Sequence, residues 1–237
     1  MSKTSALRAP PTNRLLAALP ENEYRKLLPD LEDFTLIFGE LIYKPGALVR
    51  HVYFPTSGIV SLLADVEDGG SLEVGIVGRE GMAGMSVFMG VKTSPLRVLV
   101  QGAGSALRMK ATALRRITDN EGSLSRLLRR YSYSLWVQLS QSSVCNLYHP
   151  IDARLARWLL MTRDRMEANE FLITQDFLSS MLGVRREGVN KAAGKLQQQR
   201  LIRYTRGTLT ILKPAGLAAC ACKCYRIIKK EYDSTLS

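Results

Sequence analysis

Acidic side chains are the first shortage: 21 Asp and Glu face 33 Lys and Arg across 237 residues, a formal net charge of +12. That imbalance points to a polyanionic partner. Histidine is scarcer still. The two copies, His51 and His149, are too few and too scattered for a metal site of ordinary spacing. Of four cysteines, three crowd into Cys220-Ala-Cys222-Lys-Cys224, which is no disulfide framework and fits a reducing cytoplasm. No apolar run approaches the roughly 20 residues that span a bilayer, so no membrane partner is expected. Leu15-Leu-Ala-Ala-Leu19 is too short and wrongly flanked for a secretion signal. Signatures of catalysis are missing as well: there is no Ser–His–Asp order, Walker loop or His-Glu-x-x-His run. An enzyme is not expected, and neither are long-period repeats or low-complexity tracts.

What is present reads in three stretches. With 46% hydrophobic residues, the chain can bury one large core or two smaller ones, and two domains is the better expectation. Residues 1–12 read as a disordered arm, followed by a helical pattern over Leu15–Leu28 with a fresh start at Pro20. From Phe34 to Met109, short alternating runs are separated by turn residues. The predicted strands are Phe34–Phe38, Glu40–Tyr43, Val52–Phe54, Ile59–Val66, Leu72–Val77, Leu96–Gln101 and Ala106–Met109. Such spacing predicts an antiparallel barrel, roll or sandwich.

Helical patterning then runs from Ala111 to Ala168. Within it, Leu124, Leu128, Tyr131, Leu135, Gln138, Ser142 and Cys145 keep a four-three spacing, the stripe of a coiled coil. We read it as the seam of a homodimer whose lower half is less tightly packed. The alternative is an amphipathic helix docked on its own domain. Pro150 breaks this helix, and Asp152 is placed to cap the next.

Residues 174–193 read as two short helices around a tight turn at Gly183. Leu178, Leu182, Val184, Val189 and Ala192 can close on one another, leaving Arg186, Glu187, Asn190 and Lys191 on the far side. Arg, Glu and Asn are side chains that hydrogen-bond base edges in a major groove; Lys serves bases or phosphates. Between Arg185 and Arg206 there are seven Arg or Lys against one acid, Glu187. Two strand-like runs flank Thr205-Arg206-Gly207, a hairpin with Arg206 at its tip. Arg185, Arg203 and Arg206 are expected to fix register on the phosphate backbone, with Thr174 and Gln175 holding a phosphate at the first helix. Thr174 can also cap that helix. The bland alternative is a solvated basic face. A tail helix over Leu217–Tyr232 closes the chain.

A β-roll, a long helix and a winged helix-turn-helix in this order resemble the CRP/FNR family of bacterial transcription regulators, over about residues 13–232. The resemblance is sharpest at Gly183-Val-Arg-Arg-Glu-Gly-Val-Asn-Lys191. There the family typically reads Ser-Arg-Glu-Thr-Val-x-Arg. Arg186, Glu187 and Val189 match; Arg185 stands for Ser, Gly188 for Thr and Lys191 for the last Arg. Gly188 should cost about 1 kcal/mol of helix propensity relative to Ala. The resemblance implies an α+β fold. A sensor β-roll would span 13–122, a dimerisation helix 123–149 and a DNA-binding domain 150–237. The implied protein is a homodimer on a pseudo-palindromic double-stranded operator in the cytoplasm. RNA polymerase and a small-molecule effector of unknown identity are its further implied partners.

By the same resemblance the β-roll is similar to cyclic-nucleotide-binding domains. Gly75-Ile-Val-Gly78-Arg-Glu80-Gly81-Met82-Ala-Gly84 would supply the effector contacts, with Glu80 as counterpart of a ribose-binding Glu. No Arg-Ser/Thr-Ala element follows, and Arg97 stands out of register, which argues against a standard cyclic AMP or cyclic GMP site. The glycines also suit tight turns with no ligand. Cluster-binding members keep cysteines in an N-terminal arm that here has none, so no iron–sulfur cluster or haem is expected. On a continuous helix Cys220 and Cys224 would share a face with Cys222 opposite, so no metal is expected there either. A ligand-sensing subunit acting through protein–protein contacts stays open as the second reading.

Overall fold

The computed structural model describes residues 12–67 and 70–235. Apart from Thr12, the expected N-terminal arm lies outside the described residues, as does the Asp68-Gly69 centre of one expected turn. Two short helices open the chain, α1 (Arg14–Ala17) and α2 (Glu21–Leu27). Asn13 anchors the first. Its Oδ1 accepts from the Leu16 N–H at 3.2 Å, and its Nδ2 donates to the Pro55 and Gly81 carbonyls, both at 2.9 Å.

Seven antiparallel strands follow: β1 (Leu31–Leu36), β2 (Leu41–Tyr43), β3 (His51–Pro55), β4 (Ile59–Asp65), β5 (Ser71–Val77), β6 (Arg97–Gly102) and β7 (Gly104–Lys110). They form two sheets, ordered β1-β7-β3 and β2-β6-β4-β5. Between strands lies α3 (Met85–Phe88), and α4 (Ala111–Thr118) closes the roll. Strand β4 is buried along its first five residues because both its faces are covered. Val60 and Leu62 alternate with Ser61, whose hydroxyl lies 2.7 Å from both Glu73 Oε2 and Gln101 Oε1. That polar face meets the helix α6 (Ile151–Met166): Trp158 Nε1 donates to Glu73 Oε1 at 2.8 Å and Gln101 Nε2 to Thr162 Oγ1 at 3.0 Å.

The long helix α5 (Ser123–Tyr148) corrects one expectation. Leu124, Leu128, Tyr131, Leu135, Gln138 and Ser142, read as a seam between two copies, are buried within the single chain. They pack under the β-roll and the last helix, α10 (Lys223–Thr235). Gln138 shows why polar residues sit in that stripe. Strand β5 is a sheet edge, and Gln138 binds the Ile76 peptide as a neighbouring strand would. Its Nε2 donates to the Ile76 carbonyl at 3.0 Å and its Oε1 accepts from the Ile76 N–H at 3.3 Å. The same Nε2 donates to Tyr232 Oη on α10 at 2.9 Å. Gly81 allows this closeness, because a Cβ there would overlap the Tyr131 ring.

The C-terminal unit continues from α6 with β8 (Glu170–Leu172), α7 (Gln175–Leu182), α8 (Arg186–Gln198), β9 (Ile202–Thr205) and β10 (Thr208–Ile211). Its sheet order is β8-β10-β9, and the three-residue β8 is an element that periodicity missed. Asp152 does not cap α6 from outside. It lies within the first turn, accepts from the Ala153 N–H at 3.0 Å and pairs with Lys195 of α8. The tail is two helices, α9 (Pro214–Cys220) and α10, because Ala221 is extended at φ −70°, ψ 149°. The break separates Cys220 from Cys222 and Cys224, so the helical-wheel reading of the three cysteines does not hold.

Candidate nucleic-acid interface

Helices α7 and α8 are set by local chemistry. Thr174 Oγ1 accepts from the Phe177 N–H at 3.1 Å, capping α7. Gly183 ends it in the left-handed region at φ +60°, and its N–H bonds back to the carbonyls of Ser179 and Ser180. Leu178, Met181 and Leu182 of α7, with Val189, Ala192, Ala193 and Leu196 of α8, are buried against α6 and one another. This apolar packing forces the remaining face of α8 outward. Arg185, Arg186, Glu187, Asn190 and Lys191 are all exposed, gathered in its first two turns.

Exposed contacts hold these side chains only loosely. Arg186 Nε donates to Gln175 Oε1 at 3.3 Å, and its Nη1 lies 3.5 Å from Asp176 Oδ1. Both partners of that ion pair are more than half exposed, so it is worth at most about 1 kcal/mol and can be exchanged. Arg203 is exposed on β9. Arg206 and Gly207 form the two-residue turn between β9 and β10 with φ +51° and +81°. Such a turn prefers Asn-Gly, so a cation is kept at the wing tip against backbone preference.

The residues expected to hold an effector are not gathered around a cavity. Glu80 is 5% exposed and accepts at Oε1 from Arg165 Nε of α6 at 2.7 Å and from the Gly78 N–H at 3.2 Å. Met82 is fully buried, and Gly81 lies against Tyr131. The cleft beside Glu80 holds only about 80 Å³, far below the roughly 300–1,000 Å³ of small-molecule sites. Arg97 is elsewhere, at the far end of the β4–β5 hairpin, paired with Asp65 at 2.6 Å. The segment 78–82 is therefore a joint between the roll and α6, with Glu80, Gly81 and Met82 packed into it rather than lining a cavity of ligand size. A larger cavity, about 360 Å³, is lined by Leu48, Val87 and Val91 together with Arg50, Lys92 and Arg115. No pattern in the sequence pointed to it, because its residues come from three separate segments, 48–51, 87–92 and 110–115.

The two halves also touch near the reading head. Leu72 of β5 lies against Gly183, and the Phe38 and Phe177 rings are 5.6 Å apart. No described helix is long and apolar enough to cross a membrane.

Known proteins match this arrangement in both parts. Residues 38–121 match the cyclic nucleotide-binding domain, and residues 153–220 match the Crp-like helix-turn-helix domain. Among solved structures, FixK2 from Bradyrhizobium japonicum is similar with a TM-score of 0.69 at 16% identity, covering 81% of this chain and 98% of that one. A CRP/FNR-family transcriptional regulator from Eubacterium rectale gives 0.68 at 16%, covering 87% and 96%. The c-di-GMP responsive regulator CLP of Xanthomonas campestris gives 0.60 at 20%, covering 81% and 99%. At such identities the structural similarity shows the fold alone. No curated protein sequence matches. With both domain signatures in order, joined by a long helix, the chain belongs to the CRP/FNR family of transcription regulators.

Proposed function

We propose that two copies of this chain bind a pseudo-palindromic DNA site and regulate transcription from it in response to an effector taken up by the β-roll. The observation that carries the reading is the exposed set Arg185, Arg186, Glu187, Asn190 and Lys191, flanked by the wing-tip Arg206. Arg186 reads guanine through O6 and N7, Glu187 accepts from a cytosine amine, and Asn190 or Lys191 takes a neighbouring base or phosphate. Arg185, Arg203 and Arg206 position the unit on phosphates, and Thr174 and Gln175 meet the backbone at the start of α7.

Dimerisation uses the outer face of α5. Tyr133, Val137, Ser140, Val144 and Leu147 follow a four-three spacing there, and Trp136, 68% exposed, and Leu147, 74% exposed, have no cover among the described residues. A monomer rarely leaves such a stripe bare. Two copies joined along it carry their α8 helices into successive major grooves about 34 Å apart. The β-roll reaches α6 through Glu80–Arg165 and α7 through Leu72, so an effector that shifts the roll shifts the reading heads. The 360 Å³ cavity, apolar with cationic side chains, suits a small anion with an apolar body better than it suits a standard cyclic nucleotide contact set. Native mass spectrometry of freshly purified protein would identify it.

The test of the DNA reading is selection from random duplexes, followed by fluorescence anisotropy at two salt concentrations. Enrichment of a two-fold symmetric sequence, bound with a steep salt dependence, is expected. No enrichment, with or without cell extract, would favour a sensing subunit that acts on another protein.

A further inference from the structure

The tail cysteines have no part in DNA reading, yet the fold collects them. Cys145 and His149 are four apart at the end of α5, hence on one face. Cys222 lies just before α10 and Cys224 in its first turn. The four donor atoms all lie within 4.8 Å of one another. Cys145 Sγ is 3.4 Å from Cys222 Sγ, and Cys224 Sγ is 3.6 Å from His149 Nδ1. Cys220 is turned away, toward Gln199 Oε1 at 3.4 Å.

We propose that Cys145, His149, Cys222 and Cys224 form a closed four-coordinate Zn²⁺ site that fastens the end of the long helix to the start of the last one. A tetrahedron with Zn–S near 2.3 Å and Zn–N near 2.0–2.1 Å has edges of about 3.5–3.8 Å. The 3.4 Å and 3.6 Å edges match it within a few tenths, and the remaining ones, all within 4.8 Å, need only a small contraction of the side chains around the ion. Three thiolates and an imidazole suit Zn²⁺ and exclude Ca²⁺ or Mg²⁺, which take oxygen ligands. A polynuclear iron–sulfur cluster places its ligands on separate irons and needs a wider cage. All three sulfurs are buried, in a small cluster apart from the main core, so the site is structural, with no open position for a substrate.

Charge supplies the second observation. Arg157 of α6 is 5% exposed and makes one hydrogen bond among the described residues, to the Met161 sulfur at 3.4 Å, while its buried Nε has no partner. Its guanidinium lies within electrostatic reach of all three sulfurs. Binding would turn three thiols into thiolates and release their protons to solvent, giving the Zn²⁺ site a net charge of minus one beside that cation. The site adjoins Pro150, where the DNA-binding unit departs from α5, so it sets the angle of that departure.

The test uses the full chain, reduced and stripped of metal, titrated with Co²⁺ and then Zn²⁺. One Co²⁺ per chain should bind with the d–d and thiolate charge-transfer bands of tetrahedral sulfur coordination, and Zn²⁺ should displace it. Cys222→Ser and Cys145→Ser should weaken Zn²⁺ binding by about 100-fold or more, at least the loss expected from an outer-shell change. Cys220→Ser should bind as the parent does. Absence of saturable tetrahedral bands in the parent protein would overturn the proposal whatever the variants do. So would equal loss in Cys220→Ser, or anaerobic protein that carries a Cys145–Cys222 disulfide and takes up no metal.

Discussion

Arg165, near the end of α6, places its Nε 2.7 Å from Glu80 Oε1, just past the end of β5, and both side chains are over nine-tenths buried. The guanidinium also donates from Nη1 to the Met161 carbonyl at 3.1 Å and lies 5.2 Å from the centre of the Tyr232 ring. One ion pair thus ties the β-roll, the first helix of the DNA-binding unit and the tail helix together. Breaking a buried pair from one side leaves a charge without compensation. Arg165→Met should therefore cost about 3–5 kcal/mol in urea denaturation, and adding Glu80→Gln should restore much of it. If the single and double variants lose equally, the pair is not what holds the joint.

Glu73, also between the roll and α6, makes that joint sensitive to pH. Burial raises its carboxyl from the ordinary 4.5 to about 7, against the hydrogen bonds from Ser61 and Trp158 that lower it. Between those values the folded chain keeps a proton that the unfolded chain has lost. The stability tied to it is complete below about 4.5 and is lost as pH rises through about 7. A shift of this size is worth about 3 kcal/mol. Glu73→Gln should remove the decline, so parent and variant should diverge in thermal denaturation from about pH 5 to about pH 8. Parallel curves would show that the carboxyl is ionised throughout.

On its selected DNA site, Arg186→Ala should cost about 1–3 kcal/mol and relax preference at a single base pair. Arg206→Ala should instead weaken all sequences alike and reduce the salt slope by about 1. Anisotropy titrations across base-substituted duplexes separate the two. A uniform loss with Arg186→Ala would reassign it to a phosphate.

Introducing charge on the outer face of α5 should separate the two copies. Trp136→Glu combined with Leu147→Glu is expected to leave helicity intact and halve the mass found by light scattering. Leu128→Glu, on the inner face, should lower the melting temperature steeply, because that residue is fully buried in its own chain. A dimer surviving the outer pair would put the interface elsewhere.

Much of the reading head was legible in the sequence. The helix-turn-helix is local: a capping Thr174, a left-handed Gly183 and apolar residues at helical spacing leave no choice about which side of α8 faces out. Strands β2 to β7 showed themselves by alternation and turn residues, and their ends moved by one or two positions. β8 escaped because three residues carry too little pattern, and only β10 defines it by pairing.

What the residues determined alone was each short-range consequence of backbone geometry: element type, cap and turn, and the exposed cationic face that neighbours in sequence enforce. What tertiary structure decided was every choice between equivalent faces and every meeting of distant segments. Helix α5 carries two stripes at the same spacing, Leu124–Leu128–Tyr131–Leu135 and Tyr133–Val137–Ser140–Val144–Leu147. Periodicity cannot say which turns inward, and the edge of β5 and the rings of α10 chose the first. Likewise Cys145 and Cys222, 77 positions apart, became neighbours only through the packing of α10 along α5. A contact of that kind depends on the path of the whole chain, and no local pattern encodes it.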